Sequence, residues 1–178
     1  MNLTRKGIAF LCGVFLGACA PYQPFPAEVL EGVDQSFDFT EWRTVPNAKT
    51  EHKVQLGGRI VQSEPTGAGV TIVVAQLPIV NHPAYGPKDT GKRSGEFAIF
   101  YDGKLDRLSL QRGNRLIVVG TTQASKVVTV DDVQRNLPSV TAQCLHIWNT
   151  GGREIADFPS YGGGYEPLEE NTACVAHR

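Results

Sequence analysis

The sequence predicts an all-β body, a small closed barrel of five or six strands with a short helix. A flexible N-terminal tether precedes it and a C-terminal tail follows it. Three observations predict this. Runs rich in Val, Ile, Leu and Phe alternate with turns containing Gly, Pro and Asn from His52 to Trp148. Their order is three strands, a linker able to hold one helical turn, then further strands, which is the order of an OB-like Greek-key barrel. Strand starts lie about 20 residues apart, wider than in a simple sandwich. A lipocalin-like or sandwich fold is the alternative, but the strands are too few for an eight-stranded barrel. Closure also removes exposed sheet edges.

The elements follow in order. Residues 1–18 form a leader, discussed below. Ala20 to Pro26 holds three prolines, so residues 19–50 begin as a stiff, extended tether. Within that span Phe37, Phe39 and Trp42 are placed to pack on the body, and Phe39–Arg43 can form a short helix. Residues 51–149 are the barrel. Val54–Val61 is its first strand, and the pair Gly57-Gly58 suggests a bulge or sharp bend. Glu64–Gly67 reads as a turn. Gly69–Leu77 is the second strand. Pro78–Ser94, with three prolines and two glycines, is a long loop. Gly95–Tyr101 is the third strand, ended by Asp102-Gly103. Leu105–Leu110 is one helical turn or a loop. After the Gly113-Asn114 turn, Arg115–Thr122 is the fourth strand, and Val127–Val130 is a short hairpin strand. Pro138–Trp148 is the last, with Cys144, His146 and Trp148 on one face by period-2 alternation. Residues 150–178 are a Gly/Tyr-rich tail that alone is disordered. Only a bond from Cys174 would pin it.

The first 18 residues predict export. Arg5 and Lys6 are followed by an uncharged run, Gly7–Ala18. That run is shorter than the roughly 20 residues a spanning helix needs and has the length of a signal-peptide core. Leu16-Gly17-Ala18-Cys19 resembles the lipobox of bacterial lipoproteins: an apolar residue, two small residues, then cysteine. Phe10 and Leu11 are too large to make Cys12 the rival. The resemblance implies cleavage before Cys19 and a thioether-linked diacylglyceryl group on its sulfur, with a further acyl chain such as palmitate on the new amine. Each buried CH₂ contributes about 0.8 kcal/mol, and lasting attachment needs more than one chain. Ala20 after the cysteine implies sorting to the outer membrane; separately, the periplasmic face is the expected side.

The full chain has a formal net charge of −1, and losing Arg5 and Lys6 makes the body more acidic. That argues against nucleic acid, whose binders carry a basic excess, and against electrostatic docking on anionic lipid. With Cys12 cleaved and Cys19 lipidated, Cys144 and Cys174 remain. In an exported chain an even pair suggests a disulfide. Free thiols, or a zinc set built from Cys144, His146, Cys174 and His177 at a non-standard spacing, are the alternatives.

Other constellations are weaker. Gly86–Arg93 nearly matches a phosphate-cradling loop, but Arg93 stands where Ser or Thr must hold Mg²⁺, and a strand follows where a helix must begin. Asp131-Asp132 and Glu169-Glu170 are adjacent, so on a strand their side chains point apart. They read as solvated turns. His52 and His82 stand alone in loops. No catalytic residue, metal site or cofactor is predicted.

One set of motifs is more specific. Leu56-Gly57-Gly58-Arg59-Ile60, Leu77-Pro78, Gly95-Glu96-Phe97, Gly103-Lys104-Leu105-Asp106, Leu116-Ile117-Val118-Val119-Gly120 and His146-Ile147-Trp148 resemble the Slp-type, starvation-inducible outer-membrane lipoproteins of Gram-negative bacteria. The likeness spans about residues 52–149 and includes the lipobox. Glu96 departs from it, since Arg is usual there, and the tail with its two late cysteines looks like an addition. The resemblance implies a non-catalytic envelope lipoprotein linked to starvation or stress, a structural or interaction module that meets other envelope proteins or glycans. The alternative is a small-ligand or oligosaccharide-binding module. Its lip would be the 78–94 loop, with His82, Tyr85, Lys88, Lys92 and Arg93.

Overall fold

The computed structural model describes residues 23–80, 86–89, 94–151 and 168–175. Its strands are β1 (Lys53–Pro65), β2 (Val70–Leu77), β3 (Glu96–Tyr101), β4 (Arg115–Val130), β5 (Val133–Trp148) and β6 (Glu170–Cys174). Two short helices, α1 (Ala27–Leu30) and α2 (Phe39–Thr44), precede them, with a 3-10 turn at Pro46–Ala48. The protein is all-β with few helical residues.

Strand pairing closes on itself. β1 is antiparallel to β2 on one edge and to β4 on the other. β2 pairs with β3, and β4 with β5, also antiparallel. A short parallel contact, Ala98–Phe100 against Ser139–Thr141, joins β3 to β5. The order β1-β2-β3-β5-β4 therefore returns to β1 as a ring. β5 divides its second edge. Ser139–Thr141 serves β3, and Cys144–Trp148 serves β6.

Inside the ring, period-2 alternation brings Val54, Leu56, Ile60, Ile72, Val74, Phe97, Ile99, Leu116, Val118, Leu145 and Ile147 into one core. Helix α2 adds to it. Asp38 accepts the Glu41 N–H at 3.0 Å as the N-cap. Phe39 and Trp42, three residues apart, share the face turned to the core. Trp42 is fully buried, and Phe39, Phe97 and Phe37 meet it edge-on at 5.5–6.2 Å.

The tether expectation needs correction. From Phe25 onward the N-terminal segment is packed. Phe25 and Val29 are buried against Ile117, Val119, Cys144 and Trp148 on the outer face of β4 and β5. Hence Leu116-Ile117-Val118-Val119 is apolar without alternation, because both of its faces are covered. Prolines at 24 and 26 set an extended path, but extended chain can still bury an aromatic ring.

Three strand expectations also change. Gly57-Gly58 is not the bulge, which lies between Ile60 and Gln62. Gly57 is there for close approach, since a Cβ would stand 2.7 Å from the Leu77 carbonyl oxygen. The fourth strand does not stop at Thr122. It runs to Val130 through an irregularity between Gln123 and Lys126. Polar groups freed there are met from outside the ladder: Ser125 N–H donates to Asn47 at 2.8 Å, and the Ser139 hydroxyl to the Ala124 carbonyl at 2.8 Å. Pro138, lacking an N–H, sits in the same irregularity, so β5 begins at Val133. Asp131 and Asp132, both left-handed (φ 46° and 63°), make the two-residue turn between β4 and β5.

The tail is also partly ordered, as β6 shows. The β3–β4 linker forms turns at Arg107–Leu110. Buried Asn114 ties it down. Its amide donates to the Leu108 and Ser109 carbonyls, and its oxygen accepts from Thr150 N–H at 3.0 Å.

Candidate functional site

Most predicted site residues lie outside the described residues: Leu16, Gly17, Ala18 and Cys19 in the lipobox, His82, Tyr85, Lys92 and Arg93 in the loop, and His177 in the tail. Lys88 is described. Its N–H donates to the Pro78 carbonyl at 2.9 Å. Its neighbours are fastened to the ring wall. Asp89 pairs with Arg59 at 3.3 Å, and Arg115 donates to the Pro87 carbonyl at 3.3 Å. Gly86 lies so close to the Trp148 ring that a Cβ would approach it to 2.8 Å. Glu96, where Arg was the expected residue, accepts from Arg135 at 2.7 Å. His52 is not alone: its Nδ1 lies 3.3 Å from Asp34.

The structure assembles its most elaborate polar group where β6 meets β5. Cys144 and Cys174 face each other in register and are joined as a disulfide with a sequence separation of 30 residues. Both sulfurs are thereby bonded, so neither is a thiolate ligand. Two positions along each strand, His146 faces Thr172, with Nδ1 2.6 Å from its hydroxyl. Nε2 lies 3.3 Å from a Glu170 carboxylate oxygen. Trp148 packs edge-on against the ring at 4.3 Å, and Phe25 edge-on at 6.2 Å. With its Nε2 proton directed at the carboxylate, Nδ1 accepts from the Thr172 hydroxyl. Both ring nitrogens are engaged, so this cluster is a clasp between strands, not a free base or ligand.

Glu170 was expected in a solvated turn, and Thr172 carried no expectation. A usable signal existed. Once Cys174 is set opposite Cys144, antiparallel counting puts Thr172 opposite His146 and Glu170 opposite Trp148.

Burial holds the His146 pKa below the ordinary 6.5, with the Glu170 carboxylate opposing in part. The native state therefore binds its proton later than the unfolded chain as pH falls. Stability contributed by the neutral ring is full above about pH 6.5 and declines between there and the lowered value. Asp34 and Asp106, both lowered from 3.8 by hydrogen bonds from Ser36 and Ser109, lose their contributions only at still more acid pH. The expected result is a lower Tm at pH 5.5 than at pH 7.5. His146→Gln should flatten that difference, and an unchanged slope in the variant would assign it elsewhere.

Together, a closed all-β ring with a disulfide-tied edge strand defines a small domain suited to an oxidising compartment. The chain belongs to the outer membrane lipoprotein Slp family, whose family model matches residues 16–170. It is accordingly a lipid-anchored protein of the outer membrane. The match begins at Leu16, the first lipobox residue, and runs through the N-terminal segment and most of the tail, ending before Cys174. No curated protein and no solved structure matches the chain significantly.

Proposed function

We propose that this protein is a non-catalytic interaction module of the cell envelope, linked to starvation or stress. Lipid on Cys19 holds it to the periplasmic face of the outer membrane. Its ring is read as an OB-like Greek-key barrel, supported by the order β1-β2-β3-β5-β4 and the parallel β3–β5 contact. The observation that carries the functional reading is the filled interior: Trp42, Phe97, Ile72, Ile99, Leu116 and Leu145 occupy it and are fully buried. Recognition is left to the outside. There the arm formed by the ends of β4 and β5 exposes Val127 (65%) and Val133 (55%) beside charged neighbours, a mixture that suits a protein partner. A photo-crosslinker placed at either valine in intact cells should give discrete adducts with another envelope protein. Absence of adducts at both positions, with anchored protein at normal level, would count against this reading.

The second reading is an oligosaccharide-binding module using the 78–94 loop. Lys88, beside residues fastened to the ring wall, gives that loop a defined base.

A further inference from the structure

We propose that two copies of this chain pair through the outer edge of β6, centred on Thr172, and so join their sheets on the membrane. The pairing is independent of what the β4–β5 arm meets.

The open edge follows from the hydrogen-bond alternation of an antiparallel ladder. Asn149 N–H donates to the Glu169 carbonyl and Val175 N–H to the Gln143 carbonyl, both at 2.9 Å. Odd-numbered residues of β6 therefore bond to β5, and the N–H and C=O of Thr172 and Cys174 point the other way. On that side neither backbone pairs with a described residue, and both residues are exposed. β6 carries no Lys, Pro or bulge, so only its shortness guards the edge. The bridge from Cys144 to Cys174 holds the strand in place. An incoming strand thus meets a template that is already ordered.

Three features select a second copy over an unrelated strand. First, β6 is self-complementary. Antiparallel pairing about a two-fold axis at Thr172 overlaps the strand along all five of its residues. It sets Thr172 against its own copy, a favourable cross-strand pair, and Glu170 against Cys174, so no like charges are opposed. Centred on Glu170 instead, the pairing would oppose two carboxylates. Second, antiparallel pairing of identical strands in one sheet puts the two-fold axis normal to that sheet. The outer faces of both copies then lie on one side. Phe25 packs on that face, so both leashes from Cys19 start toward the same bilayer. Third, five residues a side make an interface below the standard size, too small to collect a dilute partner. Lipid anchoring confines copies of this chain to one plane and raises their effective concentration.

The test is energy transfer between full-length lipidated proteins in vesicles of phosphatidylethanolamine and phosphatidylglycerol. Donor and acceptor are attached through Val133→Cys, the native pair Cys144 and Cys174 being bonded. Transfer above the level of random mixing at that surface density is expected. Thr172→Pro removes the N–H that faces the edge and spares the bonds to β5, which Asn171 and Ala173 make. Transfer should fall to the random level. Thr172→Val loses the same hydroxyl contact to His146 but keeps that N–H, and transfer should persist. Random-level transfer in the parent, survival in the proline variant, or equal loss in both variants would each overturn the pairing. Should the proline variant fail to fold, Thr172→Cys treated with a short bismaleimide in outer membranes carries the decision. Lying on the axis, it should link to itself, whereas Gln134→Cys, exposed on β5 away from β6, should not. A Thr172→Cys protein that stays monomeric would overturn the proposal.

Discussion

A Cys19→Ser variant is expected to leave the outer membrane entirely and to keep its fold. Serine cannot form the thioether, and without the diacylglyceryl group the signal peptidase specific for lipoproteins has no substrate. The attachment rests on hydrocarbon alone: at about 0.8 kcal/mol per buried CH₂, two or three acyl chains hold the protein for longer than any salt wash lasts. No described helix is long and apolar enough to replace them. The body has no need of the lipid, since its burial starts at Phe25. The short distance in sequence from Cys19 to Phe25 matters too. At about 3.5 Å per residue the leash reaches roughly 20 Å, so the wild-type body is held close to the bilayer. Fractionation checks the release, and circular dichroism checks the fold. The uncut variant keeps its apolar leader and is held at the inner membrane, so the two membranes are separated on a density gradient: retention of the variant in the outer-membrane fraction would refute the anchor at Cys19.

The second large effect concerns the clasp. Cys174→Ser should destabilise the protein by about 3.6 kcal/mol, from the chain-entropy cost of an open 30-residue loop. For a domain of this size that is a fall in Tm of roughly 10 °C. The effect extends beyond the bond. β6 is a five-residue edge strand whose residues are exposed or half-buried in alternation. Five pairings with β5 do not repay the ordering of an edge segment reached through a long connection. Losing the bridge therefore frees Thr172 and Glu170 from His146, opening that ring to water. The pH dependence of stability above pH 5.5 should then shrink along with Tm. Cys144→Ser differs in kind, because Cys144 is fully buried among Ile117, Val119 and Trp148, and a hydroxyl there adds a polar-burial penalty. Thermal melts of both variants, compared with wild type under reductant, check the claim. Melts that coincide with wild type in the oxidised state would sink it.

The core strands were legible because their signal is local. Gly69–Leu77, Gly95–Tyr101 and Arg115–Thr122 are β-branched and aromatic runs with turn residues at their ends, and each lies on a strand. Face assignment was legible in β5 for the same reason. Cys144, His146 and Trp148 do share a face, and that face carries the clasp. The N-terminal leader pattern likewise made the envelope location readable, which agrees with the family match.

Other features were not readable because their cause lies at a distance in the chain. Phe25 sits among prolines, and nothing local says that the outer face of β4 will be open to receive it. Gln123 to Lys126 looks like a turn because the Asn47 amide that completes its hydrogen bonds lies 78 residues from Ser125. Glu-Asn-Thr-Ala-Cys has little strand character of its own. It becomes β6 only because β3 leaves Cys144–Trp148 unpaired and a disulfide holds the tail there. The amino-acid sequence by itself determined the core strands, the face shared by Cys144, His146 and Trp148, and the family. The tertiary structure decided the ring closure, the packed N-terminal segment and the His146 clasp. Backbone dihedrals and side-chain periodicity are set within a few residues, whereas edges, open faces and unpaired polar groups exist only after distant segments meet.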